Sequence, residues 1–122
     1  MDIAVFNARW LKAWSDKDVA HLLACYTADC RYVDPQVPHG LEGREALGAY
    51  LAGLFAATPP MRYDPDEVWP IPGGFCGRWF CVIGADPGAA PALRGFDLVL
   101  LRDGLIAVNE VFTHTLPAPP GA

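Results

Sequence analysis

The fold of this chain is decided by residues 92–116, which read ALRGFDLVLLRDGLIAVNEVFTHTL. Asp103-Gly104 between two apolar, β-branched runs is a strong signal for a β-hairpin. The first arm, residues 93–101, is apolar on both faces, as is typical of a strand in the centre of a sheet that is covered on each side. The stretch therefore predicts a hairpin inside a larger sheet.

Asp97 interrupts this apolar arm. Because an unpaired charge is very costly to bury, Asp97 must face a cavity, pair with another group or stay neutral. It is therefore the first candidate functional residue. The competing interpretation is a structural Asp whose carboxyl bonds Asn109 or a backbone amide.

The register of the hairpin decides which residue lies opposite Asp97. A two-residue loop at Asp103-Gly104 would place it opposite Glu110, and a three-residue loop starting at Arg102 would place it opposite Asn109. We favour the second register, because like charges on facing residues destabilise a sheet whereas Asp and Asn can share a hydrogen bond. One face of the hairpin then carries Asp97, Asn109, Val111 and Thr113, and the other carries Glu110, Phe112 and His114.

Composition limits the classes of function. The 122 residues are enough for one domain, and 52% hydrophobic against 19% charged residues excludes a disordered chain. No apolar run reaches the roughly 20 residues that span a bilayer. A net charge of -5 with scattered Lys and Arg argues against nucleic acid as a partner. Since the N-terminus shows no secretory leader, we expect a soluble cytoplasmic protein.

Neither a metal nor a cofactor is expected. The cysteines form two pairs, at positions 25 and 30 and at positions 76 and 81, and this is not the spacing of zinc or redox motifs. We interpret them as buried free thiols. The three histidines lie far apart in sequence.

Helical spacing marks three segments that precede most of the strands. The apolar stripe of the first helix consists of Ile3, Phe6, Trp10 and Trp14. A second helix is predicted from an N-cap at Ser15 to about Tyr26, and a third runs from residues 43–45 to a stop at 58–60.

Strands are predicted over residues 30–35, 61–69 and 75–83, with loops at 36–42 and 85–92. Helices followed by strands predict an α+β fold, in which three N-terminal helices cover one face of a curved antiparallel sheet. We expect one domain over residues 1–116 and a disordered tail at 117–122.

In this order the motifs resemble the nuclear transport factor 2-like superfamily, and within it the ketosteroid isomerases and SnoaL-like polyketide cyclases. The residues that carry the resemblance are Ala8-Arg9-Trp10, residues 18–26, Val33-Asp34-Pro35, Gly43-Arg44-Glu45 and the Asp97 strand with its Asp-Gly turn. The resemblance covers nearly the whole chain. It implies a cone-shaped cavity that is walled by the sheet and closed by the helices, usually in a homodimer.

The resemblance also implies a site. Asp34, just before Pro35, matches the family's proton-moving base, and Asp97 matches the Asp that stays protonated and donates a hydrogen bond to an oxyanion. As a loop residue at a strand end, Asp34 is expected to be mobile, partly solvated and ionised, although it could merely cap its loop. Trp10 stands at the position of the family's catalytic Tyr, where an indole N–H can donate but is no strong acid. The predicted substrate-binding residues are Trp10, Trp14, Tyr26, Asn109 and Val111.

Three functions compete. The first is an isomerase or cyclase that moves a proton next to the carbonyl of an apolar or polycyclic ketone, with Asp34 and Asp97 as catalytic residues. The second is non-catalytic binding of a small apolar ligand, and the third is a dimerisation module. We expect a homodimer through the outer face of the sheet, because that face is too apolar to face water. Its apolar residues are Cys76, Phe80, Phe96, Leu98, Leu100 and Phe112.

Overall fold

The computed structural model describes residues 1–118, which form three helices and six strands. The helices are α1 (Ile3–Ser15), α2 (Val19–Ala24) and α3 (Gly43–Ala57). The strands are β1 (Tyr26–Asp34), β2 (Val37–Glu42), β3 (Met61–Ile71), β4 (Gly74–Ile83), β5 (Leu93–Arg102) and β6 (Leu105–Thr115). The predicted α+β class is confirmed. Of the predicted tail, residues 119–122 lie outside the described residues.

The six strands form one curved, unclosed sheet in the order β2-β1-β6-β5-β4-β3. All neighbouring strands are antiparallel except β1 and β6, which run parallel. The prediction of an antiparallel sheet is therefore wrong for this one pair. The reason lies in the connections. Helix α3 carries the chain to the far edge of the sheet, where β3 begins an antiparallel meander of four strands. Its fourth strand, β6, lies beside β1 and runs in the same direction.

Helix α1 lies against the concave face of the sheet. It begins at Asp2, whose carboxylate accepts a hydrogen bond from the Val5 amide over 3.1 Å. The predicted apolar stripe is confirmed at its centre, because Phe6, Trp10 and Trp14 are all buried. In the described residues 1–118, no helix has the length and hydropathy that a membrane crossing requires.

The second helix starts later and ends earlier than predicted. Ser15 is the last residue of α1, where its hydroxyl donates to the Leu11 carbonyl over 3.0 Å and accepts from the Tyr63 amide over 2.9 Å. Asp18 caps α2 instead and accepts from the His21 amide over 3.0 Å. Both residues are good caps by type, and the contact between Ser15 and β3 decides between them. Tyr26, the predicted helix end, already begins β1.

The predicted loop at 36–42 is also wrong, because most of it is β2. One oxygen of Asp34 accepts hydrogen bonds from the Gln36 and Val37 amides, over 2.7 and 3.1 Å. This local turn reverses the chain within two residues, so that Val37 pairs with Asp34. Strand β1 is also longer than predicted, because it starts at Tyr26 and not at residue 30.

The central hairpin has a register that neither of the two considered loops produces. Asp103 and Gly104 have φ values of 54° and 77° and form a two-residue turn, so the preferred three-residue loop is wrong. Just beyond the turn, Ala107 forms a bulge in β6, because Leu101 pairs with Ile106 but Leu100 pairs with Val108. The bulge shifts the register of β5 and β6 by one further residue.

As a result Asp97 lies opposite Val111, and Asn109 lies opposite Val99, so the predicted pairing of Asp97 with Asn109 does not form. The observed register differs from the favoured one by two residues. Because side chains alternate with a period of two, an even offset leaves the faces unchanged. The prediction that Asp97, Asn109 and Val111 share the concave face is confirmed, and Glu110 points to the other side.

All four cysteines are free thiols. Cys30 and Cys81 are buried, whereas Cys25 and Cys76 are half-buried, so the prediction of buried thiols is confirmed in full for the first two only. Burial raises the pKa of the Cys81 thiol to about 11. This thiol is therefore protonated and unreactive at neutral pH.

Candidate functional site

The helices and the concave face of the sheet leave a pocket of ≈ 200 Å³ between them. Helices α1 and α3 supply one wall and strands β1, β3, β4, β5 and β6 supply the other. The residues on which its chemistry depends are Trp14, Tyr32, Asp34, Tyr50, Tyr63, Trp79, Asp97 and Val111.

Four of the seven predicted site residues reach this pocket: Asp34, Asp97, Trp14 and Val111. Trp10, Tyr26 and Asn109 do not line it, which corrects their predicted place in the substrate site. They are buried in the core, where the Tyr26 hydroxyl donates to the Asn109 side-chain oxygen over 2.9 Å. Burial raises the pKa of Tyr26 well above its ordinary value, and the neighbouring Trp10 indole partly opposes this.

Asp34 is held by four hydrogen bonds. Besides the two backbone amides, the hydroxyls of Tyr32 and Tyr50 donate to its other oxygen over 2.8 and 2.6 Å. A carboxylate has about four acceptor positions, so the protein occupies all of them. Asp34 is only 8% exposed. The prediction of a mobile, partly solvated Asp34 is therefore wrong.

The two tyrosines respond to this carboxylate. Burial raises the pKa of Tyr50, and the hydrogen bond to Asp34 raises it further. Burial likewise raises the pKa of Tyr32, followed by the charge of Asp34. Both groups therefore stay protonated as donors. The Tyr50 hydroxyl also lies 3.3 Å from the side-chain oxygen of Gln36, which is a second acceptor within its reach.

Asp97 has the opposite environment. It is 3% exposed, and in the described part of the chain its Oδ1 atom has no hydrogen-bond partner. Burial raises the pKa of this carboxyl to about 8, so Asp97 is mostly neutral at pH 7. The indole of Trp79 opposes the shift, although the two side chains do not meet in regular hydrogen-bond geometry.

The two carboxyls stand on strands that are separated by a single strand. Tyr32 and Val33 of β1 pair with Asn109 and Glu110 of β6, so the next position places Asp34 level with Val111. Val111 in turn lies opposite Asp97 of β5. Two strand spacings of about 4.8 Å put the backbones of Asp34 and Asp97 roughly 10 Å apart, with Val111 between them.

Aromatic rings form most of the remaining wall. Their centroids lie 5.1 to 6.3 Å apart in a continuous series. The series runs through Tyr50, Tyr32, Trp14, Tyr63 and Trp79, and Phe55 packs against Trp14 at its side. Such rings bury large apolar areas and leave few polar groups free to orient a ligand.

Three of these pocket residues were missed as site residues from the sequence. Tyr32 was within reach, because it lies two residues before Asp34 on a strand and hence on the same face. Tyr50 falls within the third predicted helix, in which no residue was assigned to the site. Trp79 carries no local signal, since its place in the pocket depends on the register between β4 and β5.

At the pocket margin, the Lys17 ammonium donates to the carbonyls of Phe55 and Thr58 over 3.1 and 2.6 Å. This caps the C-terminal end of α3. Within residues 1–118 no group of three or more His, Cys, Asp or Glu side chains is placed to hold a metal ion.

Comparison with known proteins places this geometry in context. The profile of the SnoaL-like domain family matches residues 7–109. Among curated protein sequences no match is found.

Solved structures share the fold at low sequence identity. A SnoaL-like protein of unknown function from Burkholderia thailandensis is 15% identical with a TM-score of 0.77, over 94% of each chain. A proposed isomerase of the SnoaL-like family from Agrobacterium tumefaciens is 22% identical with a TM-score of 0.76, over 93% of this chain and 99% of its own. A protein of ketosteroid isomerase-like fold from Catenulispora acidiphila, in complex with trimethylamine, is 18% identical with a TM-score of 0.72, over 84% and 80%.

Proposed function

This chain belongs to the SnoaL-like domain family, and from that premise we propose that its pocket binds a small apolar ketone and moves a proton next to the carbonyl, as an isomerase or cyclase would. One observation carries the proposal. The pocket holds two carboxyls in opposite environments: Asp34 accepts four hydrogen bonds, and Asp97 is buried with its pKa raised to about 8. Pairs of carboxyls that differ in this way divide the roles of base and acid between them.

In the proposed reaction Asp34 takes a proton from the carbon next to the carbonyl. The electron pair of that C–H bond moves into an enolate, whose negative charge settles on the oxygen. Asp97, still protonated, donates a hydrogen bond to that oxygen and stabilises the charge. Asp34 then returns its proton to the same or another carbon of the enolate.

The base needs a free lone pair. Tyr50 is the donor that releases Asp34, because its hydroxyl can donate instead to the side-chain oxygen of Gln36, 3.3 Å away. When it turns to Gln36, one acceptor position of Asp34 opens toward the pocket. The name of the Agrobacterium tumefaciens relative, a proposed isomerase, is consistent with this class of reaction.

A second candidate is binding without catalysis, and a specific observation favours it. All acceptor positions of Asp34 are occupied by the protein itself. Aromatic walls with a carboxylate also suit a small cation, and the relative from Catenulispora acidiphila is described in complex with trimethylamine. In this case the pocket would hold its ligand and leave it unchanged.

The two candidates are separated by one pair of measurements. 4-Nitrophenol, whose oxygen mimics an enolate, is titrated against the protein by absorbance, and deuterium uptake into 2-tetralone is followed by NMR in D₂O. We expect binding, and exchange that saturates with ketone and is inhibited by the phenol. Binding of the phenol or of trimethylamine without exchange supports the second candidate. If nothing binds, both candidates fail.

We also propose that two copies of the chain associate through the convex face of the sheet. Phe96 and Phe112 face each other across β5 and β6 and are 39% and 58% exposed. The Trp69 ring lies beside Phe96, with a centroid distance of 5.9 Å. Exposed aromatic groups in one patch are typical of an interface.

We expect the double variant Phe96→Lys/Phe112→Lys to be monomeric and the wild type to be dimeric, because buried like charges would oppose association. Light scattering at micromolar concentration measures both. Val5→Lys, at an exposed apolar position on α1, is the matched control and should stay dimeric. A monomeric wild type would contradict the proposal.

A further inference from the structure

We propose that the indole N–H of Trp79 is a second hydrogen-bond donor of the pocket, acting together with the Asp97 carboxyl on one ligand oxygen. The inference rests on the proposed function, since it names the group that completes the oxygen-binding corner. Trp79 would therefore be a catalytic residue that touches the reacting oxygen.

Two unpartnered polar atoms in one pocket carry the proposal. Trp79 is 5% exposed, and its Nε1 atom has no hydrogen-bond partner in residues 1–118. The Oδ1 atom of Asp97 is also buried and has no hydrogen-bond partner among these residues. Buried polar groups without a partner are rare and cost about 1–3 kcal/mol each. Both residues line the same pocket, and a ligand oxygen placed between these two buried atoms would satisfy both.

The register of β4 and β5 brings the two groups together. Trp79 pairs with Gly95, and Asp97 pairs with Gly77, so Trp79 and Asp97 are diagonal neighbours on the concave face. Diagonal neighbours are within reach of an aromatic side chain. The indole of Trp79 also lowers the pKa of Asp97, in agreement with this diagonal placement.

Gly95 makes the room for this arrangement. A Cβ atom at this position would overlap the six-membered ring of Trp79, so the indole lies against the backbone of β5 only because residue 95 has no side chain. On its other side the ring meets Tyr63 edge-on, with centroids 5.1 Å apart. The indole is thus fixed between the backbone of β5 and the Tyr63 ring.

The indole N–H of Trp10 cannot donate to a ligand in the pocket in the same way. Its N–H also lacks a partner among the described residues, but the side chain is 1% exposed and does not line the pocket. Its neighbour is the hydroxyl of Tyr26, in the core. A donor on α1 is therefore not available to the ligand, whereas a donor on β4 is.

Two donors at one point select for a particular ligand chemistry. An indole N–H donates only, and a protonated carboxyl donates as well. Together they fit an oxygen with two lone pairs, and they bind it more strongly as its negative charge grows. These two donors therefore favour an enolate, a phenolate or a carbonyl oxygen over an ammonium group, which has no lone pair to accept a hydrogen bond.

The test uses three variants and 4-nitrophenol at pH 7. We expect Trp79→Phe to weaken binding about tenfold to hundredfold, the loss of one buried hydrogen bond to a charged oxygen. Trp10→Phe and Trp69→Phe are matched controls, one in the core and one on the convex face, and each should bind within about twofold of the wild type.

A second measurement needs no change at Trp79. In protein labelled with ¹⁵N at the indoles, the Trp79 N–H proton, assigned from single Trp→Phe variants, should shift downfield when a phenol binds. The indole protons of Trp10 and Trp69, which do not line the pocket, should move little.

The outcomes separate the inference from the function it rests on. If the wild type binds 4-nitrophenol but Trp79→Phe binds equally well and the Trp79 resonance does not move, the second donor is excluded and the proposed function stands. If the wild type binds no phenol, the proposed function fails and the inference fails with it. If Trp79→Phe does not fold, the resonance of the wild-type indole decides alone.

Discussion

In the Asp34→Asn protein, we expect deuterium exchange at the carbon next to the carbonyl of 2-tetralone to slow by about 10²–10⁴-fold, the usual contribution of a general base. An amide cannot take the proton, and Asp97, the second carboxyl that lines the pocket, is mostly protonated at pH 7. Binding of 4-nitrophenol should be intact or stronger, because a neutral amide no longer repels the phenolate. Exchange is measured by NMR and binding by absorbance.

The substitution also disturbs the hydrogen bonds of Asp34. An amide has one accepting oxygen, so the two backbone amides and the hydroxyls of Tyr32 and Tyr50 cannot all be satisfied, and we expect a loss of about 1–3 kcal/mol in the free energy of unfolding. Urea denaturation separates this loss from the loss of activity. Asp29→Asn, an exposed site on the same strand, is the control and should exchange like the wild type. Unchanged exchange in Asp34→Asn would remove Asp34 from the mechanism.

Asp97→Asn should change how stability depends on pH. The folded-state pKa of Asp97 is about 8, against 3.8 for an ordinary Asp, so between these values the folded protein holds a proton that the unfolded chain releases. The folded state therefore loses stability as pH rises, by about 1.4 kcal/mol per pH unit from this one group. Below pH 3.8 both states are protonated, and this group adds no pH dependence.

Asparagine keeps the shape of a neutral carboxyl and does not titrate. We therefore expect the free energy of unfolding of Asp97→Asn, minus that of the wild type, to rise steadily from pH 4.5 to pH 8 and then to level off. Urea denaturation at a series of pH values gives this difference, in which the other titrating groups cancel. Parallel curves for the two proteins would show that Asp97 is not protonated when folded.

The affinity for a phenolate should also depend on the proton of the Asp97 carboxyl. The wild type should lose affinity for 4-nitrophenol as pH rises through about 8, because an ionised Asp97 repels the phenolate instead of donating to it. Asp97→Asn should bind the phenolate equally well on both sides of pH 8.

The class of fold was predictable because its signals are periodic and local. The stripe of α1, the length of α3 and the Asp-Gly turn each depend on neighbouring residues, and their order predicts an α+β domain. Strand β2 was missed because its cause is a side chain, Asp34, that accepts hydrogen bonds from the chain just after it. The parallel pairing of β1 with β6 has no local signal at all.

The site was predictable where the alternation of side chains along a strand decides which face a residue occupies. Asp97 and Val111 were assigned to the right face even though the register was wrong, because the turn and the bulge at Ala107 together shift it by an even number of residues. The partners of the carboxyls come from other elements. Tyr50 from α3 and Trp79 from β4 could be placed only once the packing of helix and sheet was known.

The parallel pairing of β1 with β6 also sets the order of events in biosynthesis. Strand β1 ends at Asp34, and the strand that joins it to the rest of the sheet begins at Leu105. During translation β1 therefore waits with an unpaired edge while about 70 further residues are added, which takes several seconds at about 5–20 residues per second. An open edge of this kind is a template for association with other nascent chains.

Long-range pairing of this type also makes folding slow in general. Asp34 on β1 and Asp97 on β5 face one pocket only when β6 pairs with both of their strands. A chain that ends before Leu105 would lack the strand between Asp34 and Asp97, and therefore the pocket.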